Sequence, residues 1–226
     1  MTAALAGATI IVPARDEVES IGGVVSALCA LGAARVIVAD DASCDGTAIA
    51  ARRAGADVVP AAGRGYGWAC HAGIAAANGA PILAFIDGDG SFDPRDLADL
   101  VAFVRDGADL AVGTRAHTRA MTLHQQVGNA VTLALLRTLY GVSLRDIAPL
   151  RAISGEALAR LEMRPTRYAW LVEMLAKADR RGLRIVARPV RYRRRTGGTS
   201  KVSGSARGSL LAGLDFIGAL IAYRRW

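Results

Sequence analysis

The sequence predicts an α/β domain: a mainly parallel sheet with helices on both faces. Three observations point there. Short apolar β runs alternate with amphipathic helical patterns through the first half of the chain. Two acidic clusters, Asp40-Asp41 and Asp87-Gly88-Asp89, each follow directly on such a run, Val36-Ile37-Val38-Ala39 and Ile82-Leu83-Ala84-Phe85-Ile86. No internal repeat or low-complexity linker divides the 226 residues. Sheets of this kind bind ligands beyond the carboxyl ends of their strands, where both clusters fall.

A strand over 9–12 runs into Pro13-Ala14-Arg15-Asp16-Glu17. Val18, Ile21, Val24, Val25, Leu28 and Leu31 then recur at helical spacing, predicting a helix over 17–31. A second strand, 35–39, leads to Asp45-Gly46-Thr47, where Asp45 or Thr47 can cap the next helix. Residues 57–59 read as a short third strand, 66–77 as a helix and 82–86 as a strand. Helix 94–104 starts on Pro94, whose missing N–H costs nothing in a first turn. Another strand covers 110–112. The second half is more helical, with apolar patterns over 122–139, 154–162 and 168–181, a strand over 184–192 and an amphipathic segment over 205–223. The expectation is one domain, 1–204, with 205–226 either part of it or an element at a membrane interface.

With 52% hydrophobic residues and a mean hydropathy of +0.28, the chain can bury a sizeable core and is not disordered. Cys29, Cys44 and Cys70 are too few and too irregular for a disulfide framework and fit reduced thiols of a cytosolic protein. His71, His117 and His124 lack metal-ligand spacing. The first residues lack the basic flank of a secretory signal, and no apolar run reaches the roughly 18–20 residues that a membrane span needs. A soluble or peripheral protein is expected.

The net charge of +8 is unevenly placed. Ten basic residues and no acidic one lie between Arg180 and Arg207, so the rest of the chain is slightly acidic. That segment suits an anionic ligand or membrane surface, or else is a solvated basic face. Nucleic acid is not expected as a partner: Tyr192 is the only aromatic residue in the run, too few for a base-stacking surface.

Asp87-x-Asp89 is the most informative segment. Like charges this close repel unless a cation lies between them, and a hard divalent ion takes one or two carboxylates plus phosphate oxygens. Asp40-Asp41 can accept hydrogen bonds from a base or ribose. Gly63-Arg64-Gly65-Tyr66-Gly67, just before a helix, allows close backbone approach to a phosphate, though it matches neither the dinucleotide fingerprint nor a P-loop. Arg195 and Lys201 flank a Gly197-Gly198 hinge able to close over a diphosphate. Glu173 can act as a base or pair with Lys177 at i+4. In the tail, Leu210, Leu211, Leu214, Phe216, Ile217, Leu220 and Ile221 form an apolar face ending in Tyr223-Arg224-Arg225-Trp226. That face suits a membrane headgroup boundary, the protein's own core, or a second subunit of a homo-oligomer.

Several stretches together resemble the GT-A glycosyltransferases of family 2, most closely the polyprenyl-phosphate, dolichol-phosphate mannose synthase-like branch. They are Ile11-Val12-Pro13-Ala14-Arg15-Asp16-Glu17, Val38-Ala39-Asp40-Asp41-Ala42-Ser43-Cys44-Asp45-Gly46-Thr47, Ile86-Asp87-Gly88-Asp89-Gly90, Val112-Gly113-Thr114-Arg115, Asp146-Ile147-Ala148-Pro149-Leu150-Arg151-Ala152, and the run from Arg191-Tyr192 to Gly204. The resemblance spans 8–204 and implies a GT-A, Rossmann-like fold. It implies that Pro13, Arg15 and Glu17 line the nucleotide pocket, that Asp41 meets the base, and that Asp87 touches the ribose or the metal. It further implies that Asp89 ligates Mg²⁺ or Mn²⁺ on the donor diphosphate, and that Arg115, Arg195 and Lys201 neutralise phosphates of donor and acceptor. Ser91 stands where the mannose synthases often have Gln, Ala14 where the family has Tyr, and Asp16-Glu17 where it has Asn-Glu.

The function so implied is inverting, metal-dependent transfer of a hexose from a nucleotide sugar of the GDP-mannose or UDP-glucose type to a polyprenyl phosphate. The setting would be cytoplasmic, peripheral on the inner face of the cell membrane. The alternatives are a soluble family 2 transferase acting on a hydroxyl with Glu173 as base, and a sugar-1-phosphate nucleotidyltransferase. The latter usually carries a Gly-rich loop after its first strand, where Pro13-Ala14-Arg15-Asp16-Glu17 stands.

Overall fold

A computed structural model describes residues 3–115, 123–196 and 215–223. In chain order the elements are β1 (Ala8–Ala14), α1 (Val18–Ala30), β2 (Arg35–Asp40), α2 (Thr47–Arg53), β3 (Asp57–Pro60), α3 (Tyr66–Ala76) and β4 (Ile82–Phe85). They continue with α4 (Pro94–Arg105), β5 (Leu110–Arg115), α5 (Leu123–Tyr140), β6 (Arg151–Ser154), α6 (Gly155–Leu161), α7 (Trp170–Arg180) and β7 (Ile185–Val190). A further helical segment covers 215–223. Asp93 caps α4 by accepting the Arg95 N–H at 3.0 Å, and Pro94 occupies the first turn as the sequence predicts.

The seven strands form one sheet in the order β3-β2-β1-β4-β6-β5-β7. Every pairing is parallel except the two made by β6, which runs antiparallel to β4 and to β5. The chain builds outward from β1 to β3, then crosses to β4 on the other side of β1. That reversal of direction opens the crevice of an α/β sheet between the ends of β1 and β4.

Strand alternation divides the core. Ile10, Val12, Val36, Val38, Ala84 and Ile86 face one side, under α1 and α4. Ile11, Ile37, Leu83, Phe85, Val112 and Ile153 face the other, under α3 and α5 to α7. Both faces are covered, which is why the strands read as continuous apolar runs.

Pro13 sits near the end of β1, a central strand, where a missing N–H ordinarily costs a ladder bond. Here the β4 pairing stops at Ile11↔Phe85, and the Ile86 N–H closes it on the Ile11 carbonyl at 3.2 Å. Two residues on, the Pro13 backbone faces that same side beyond the last β4 pair, while β2 pairs with it through Ala39 on the other, so the missing N–H costs no ladder bond.

Strand β6 is absent from the sequence-based expectations. Its four residues, Arg151 to Ser154, contain only Ala152 and Ile153 as apolar positions, too few for any period to register. The tail helix packs on the domain: Leu220 and Tyr223 are buried, and the Tyr140 hydroxyl donates to the Leu220 carbonyl. Among the described residues, no helix is long and apolar enough to cross a membrane.

Candidate active site

The loops after β1 and β2 are laced together. The backbone N–H groups of Asp16, Glu17 and Val18 donate to Ser43 Oγ, Thr47 Oγ1 and Asp45 Oδ2 at 2.9, 2.8 and 3.1 Å. The Cys44 N–H returns a bond to Asp16 Oδ1 at 2.9 Å. The amino end of α1, which has no cap of its own, is therefore capped by side chains of the neighbouring loop. Asp45 also accepts the Thr47 N–H at 3.0 Å, but Gly46, rather than the expected Asp45 or Thr47, takes the N-cap position of α2, without a side-chain cap bond. Asp16 and Ala42 hold positive φ values of 52° and 61°, backbone conformations that a structure retains where surrounding contacts over-determine them.

Asp41 lies at this edge, 5% exposed. Its Oδ2 accepts the Gly65 N–H at 3.0 Å and stands 4.0 Å from Arg15 Nη1, while its buried Oδ1 has no hydrogen-bond partner. An acceptor left open beside a Gly-rich turn is chemically suited to a donor group on a ligand. One strand, β1, separates Asp41 from the Asp87–Asp89 loop at the same sheet edge.

Across the crevice the acidic loop is drawn together by Arg195. Its Nη2 lies 3.0 Å from Asp89 Oδ2 and 3.0 Å from Glu17 Oε1, bridging the loops after β4 and β1. The segment after β7 lies along the acidic loop: the Arg193 N–H donates to the Ser91 carbonyl, the Thr196 N–H to the Asp89 carbonyl, and Tyr192 bridges Phe92. Gly90, at φ +71°, makes this approach possible; a Cβ there would come 2.6 Å from Thr196 Oγ1. Burial, then the negative charges of Asp89 and Glu17, push the Asp87 carboxyl from the ordinary 3.8 up to about 8, against the opposing pull of Arg115 and Arg195. Acids that repel in this way fit a divalent cation. Among the described residues no three His, Cys, Asp or Glu side chains gather to hold a metal by themselves, so a cation there would draw further ligands from a bound phosphate.

Arg115 is committed to the protein. Its backbone N–H and Nε reach Asp146 Oδ2 at 2.9 and 2.7 Å, and Nη2 reaches Oδ1 at 2.6 Å. Its guanidinium also lies over the Tyr192 ring, 5.2 Å from the centroid. Arg151 in β6 is fully buried and donates to the Ala148 and Leu171 carbonyls.

Three arginines of the basic run are answered by α4 and its capping residue. Arg188 pairs with Asp99 at 3.0 Å, Arg191 with Asp96 at 2.9 Å and Asp93 at 3.2 Å, and Arg193 approaches Asp93 at 3.8 Å. The Asp93-x-x-Asp96-x-x-Asp99 spacing, which puts three carboxylates along one stretch of a helix, was the available signal.

Glu173 is 0% exposed. Its Oε1 takes Lys177 Nζ at 2.8 Å and the Arg164 N–H at 2.9 Å, and Lys177 also donates to the Glu162 carbonyl and lies over the Tyr223 ring. The i,i+4 pairing is the arrangement present, and the carboxylate does not open onto solvent.

Thus Pro13, Arg15, Glu17, Asp41, Asp87, Asp89, Arg115 and Arg195 all stand at one sheet edge, whereas Glu173 is sealed under the tail helix. Lys201 lies outside the described residues. Sequence reasoning passed over Asp146 as a partner for Arg115, and over Ser43, Asp45 and Thr47 as caps in trans; bonds between residues some 30 apart leave no local trace.

A mainly parallel sheet with acidic loops at its switch point, bridged by the Arg195 guanidinium, is where α/β folds of this kind bind ligands. The Glycosyl transferase family 2 model matches residues 9–162, and the chain belongs to that family. It is 44% identical to an uncharacterized glycosyltransferase of Mycobacterium tuberculosis, over 92% of this chain and 95% of that one. It is 29% identical to the polyprenol monophosphomannose synthase of Mycolicibacterium smegmatis, covering 87% and 81% of the two chains. Glucosyl-3-phosphoglycerate synthase from Mycobacterium tuberculosis, solved with Mn²⁺, UDP and glucosyl-3-phosphoglycerate, shares the fold at a TM-score of 0.76, with 24% identity over 96% of this chain and 79% of that one. The protein is a glycosyltransferase with the GT-A-like fold.

Proposed function

We propose that this glycosyltransferase moves a hexose, with inversion, from a nucleotide sugar to a polyprenyl phosphate, aided by Mg²⁺ or Mn²⁺. Its relatives favour this acceptor: besides the mannose synthase, a dolichyl-phosphate hexose transferase of Haloferax volcanii is 30% identical over 81% of this chain.

The residues have distinct tasks. Asp41 would receive a donor N–H from the base through its open Oδ1, with Pro13 and Arg15 on the rim of the same pocket. Asp87 and Asp89 would hold the cation, which when bound neutralises charge gathering on the departing nucleoside diphosphate. Arg195, whose buried Nη1 lacks a hydrogen-bond partner, would donate to a phosphate oxygen, with Lys201 as a second cation for the same purpose. Arg115, oriented by Asp146, would contribute positive potential without leaving its partner. The acceptor phosphate oxygen forms its bond to the anomeric carbon as the bond to the diphosphate breaks on the opposite face.

The observation that carries the choice of acceptor is the sealing of Glu173. A neutral hydroxyl needs a base to take its proton, and the carboxylate best suited by sequence is 0% exposed and bound to Lys177. A phosphate nucleophile is already ionised and needs none. A lipid acceptor would make the protein peripheral at a cytosolic membrane face.

The test is a transfer assay with radiolabelled GDP-mannose and UDP-glucose, Mn²⁺ or Mg²⁺, and either a polyprenyl phosphate or 3-phosphoglycerate. Label should pass into the organic phase with the lipid acceptor and be lost when the lipid is treated with phosphatase beforehand. Label that stays in a water-soluble product would exclude the lipid acceptor.

A further inference from the structure

We propose that Arg195 is a built-in counter-cation that competes with the divalent metal for Asp89, so that metal loading requires its guanidinium to leave that carboxylate. This rests on the metal reading given above. One nitrogen, Nη2, serves Asp89 Oδ2 and Glu17 Oε1 at 3.0 Å each. The other oxygen of Asp89, Oδ1, accepts the Ser91 N–H at 2.9 Å. Both carboxylate oxygens are therefore engaged by the protein itself.

A divalent ion sits about 2.0–2.1 Å from a carboxylate oxygen when it is Mg²⁺. On Oδ2 it would meet a guanidinium at hydrogen-bonding range, and two cations that close repel strongly in a partly buried site. Backbone geometry limits how Arg195 can withdraw. Its flanks are pinned to the acidic loop by Arg193 N–H to Ser91 O at 3.0 Å and Thr196 N–H to Asp89 O at 3.1 Å. The exchange is thus a rotation of one side chain over a fixed backbone. Nη1, buried without a hydrogen-bond partner, leaves part of the fork ready for a new acceptor. A donor diphosphate offers paired oxygens that suit the planar guanidinium better than a shared carboxylate oxygen. Donor and metal would then load together: the diphosphate draws Arg195 off Asp89, and the metal takes its place.

The test is Mn²⁺ affinity without nucleotide, measured by calorimetry and by electron paramagnetic resonance of free Mn²⁺. The full-length protein is compared with Arg195→Gln, Arg195→Lys and Asp89→Asn. Arg195→Gln should bind Mn²⁺ roughly tenfold more tightly, as follows from removing a competitor that holds the site about nine-tenths of the time. Arg195→Lys keeps a cation and should stay near the unsubstituted protein, and Asp89→Asn should lose the tight binding. Unchanged or weaker binding by a folded Arg195→Gln protein overturns the proposal. A different failure marks the metal reading itself: UDP and GDP would stabilise the unsubstituted protein no more with Mn²⁺ than without it.

Discussion

Arg115 closes on Asp146 with its side chain and its own backbone at once, so a single carboxylate fixes both the end of β5 and the guanidinium beside the acidic loop. Asp146 is 2% exposed, and the pair is shielded from solvent. Removing one partner of such a pair leaves a charge stranded. Asp146→Ala should lower unfolding stability by about 3–5 kcal/mol. Chemical denaturation measures this, and a loss under about 1 kcal/mol would mean that water already solvates the pair.

Asp87 ties stability to pH. Its folded carboxyl keeps a proton up to about 8, while the unfolded chain releases it near 3.8. Over that interval the folded state binds more protons, so this contribution to stability is full in acid and falls as pH rises toward 8. A divalent cation should offset the loss. The rise in melting temperature caused by Mn²⁺ with UDP or GDP should therefore be larger at pH 8.5 than at pH 6, and cation binding near pH 7 should release a proton. Titration calorimetry in buffers of different ionisation enthalpy reads that proton directly.

Asp89→Asn should lower transfer by about two to three orders of magnitude, the scale of losing a principal electrostatic contact to developing charge. The melting temperature should hold while the Mn²⁺-dependent shift with nucleotide disappears. Retention of that shift would move the metal elsewhere.

Glu173 and Lys177 separate a structural role from a chemical one. Glu173→Gln leaves Lys177 buried without its counter-charge and should cost about 3–5 kcal/mol, whereas Glu173→Met combined with Lys177→Met should recover most of it. If the double variant also transfers sugar at near the original rate, Glu173 takes no proton. A folded double variant that has lost transfer would restore the reading of Glu173 as a base.

Gly90→Ala would force a Cβ against Thr196 Oγ1 and hold Ala at φ +71°, a conformation that costs a non-glycine residue about 1–2 kcal/mol. The 191–196 segment should lift from the acidic loop. The expected readouts are a comparable loss of stability and a raised KM for the donor.

Much of the fold was legible in the sequence because both faces of the sheet are covered. Buried strands such as Arg35–Asp40 then stand out as apolar runs, and helices such as Pro94–Arg105 carry a 3.6 period behind a first-turn Pro. Residues at the ends of those strands, Asp41, Asp87 and Asp89, were legible for the same reason. Strand β6 was not, because a fully buried arginine begins it and four residues carry no period. The basic run was ambiguous because three of its arginines, Arg188, Arg191 and Arg193, pair with Asp93, Asp96 and Asp99, almost a hundred residues earlier. Glu173 showed its i+4 partner in the sequence, but its burial comes from the tail helix, a contact that local pattern does not contain.

The sheet also has a far side. The turns ahead of β5 and β7, at Gly107 and Gly182, stand at the opposite rim, where the parallel strands begin. A six-residue strand holds such a turn about 20 Å from the crevice. A fluorophore or affinity handle grafted there would leave the chemistry untouched, giving an experimenter an attachment point for watching donor and metal arrive.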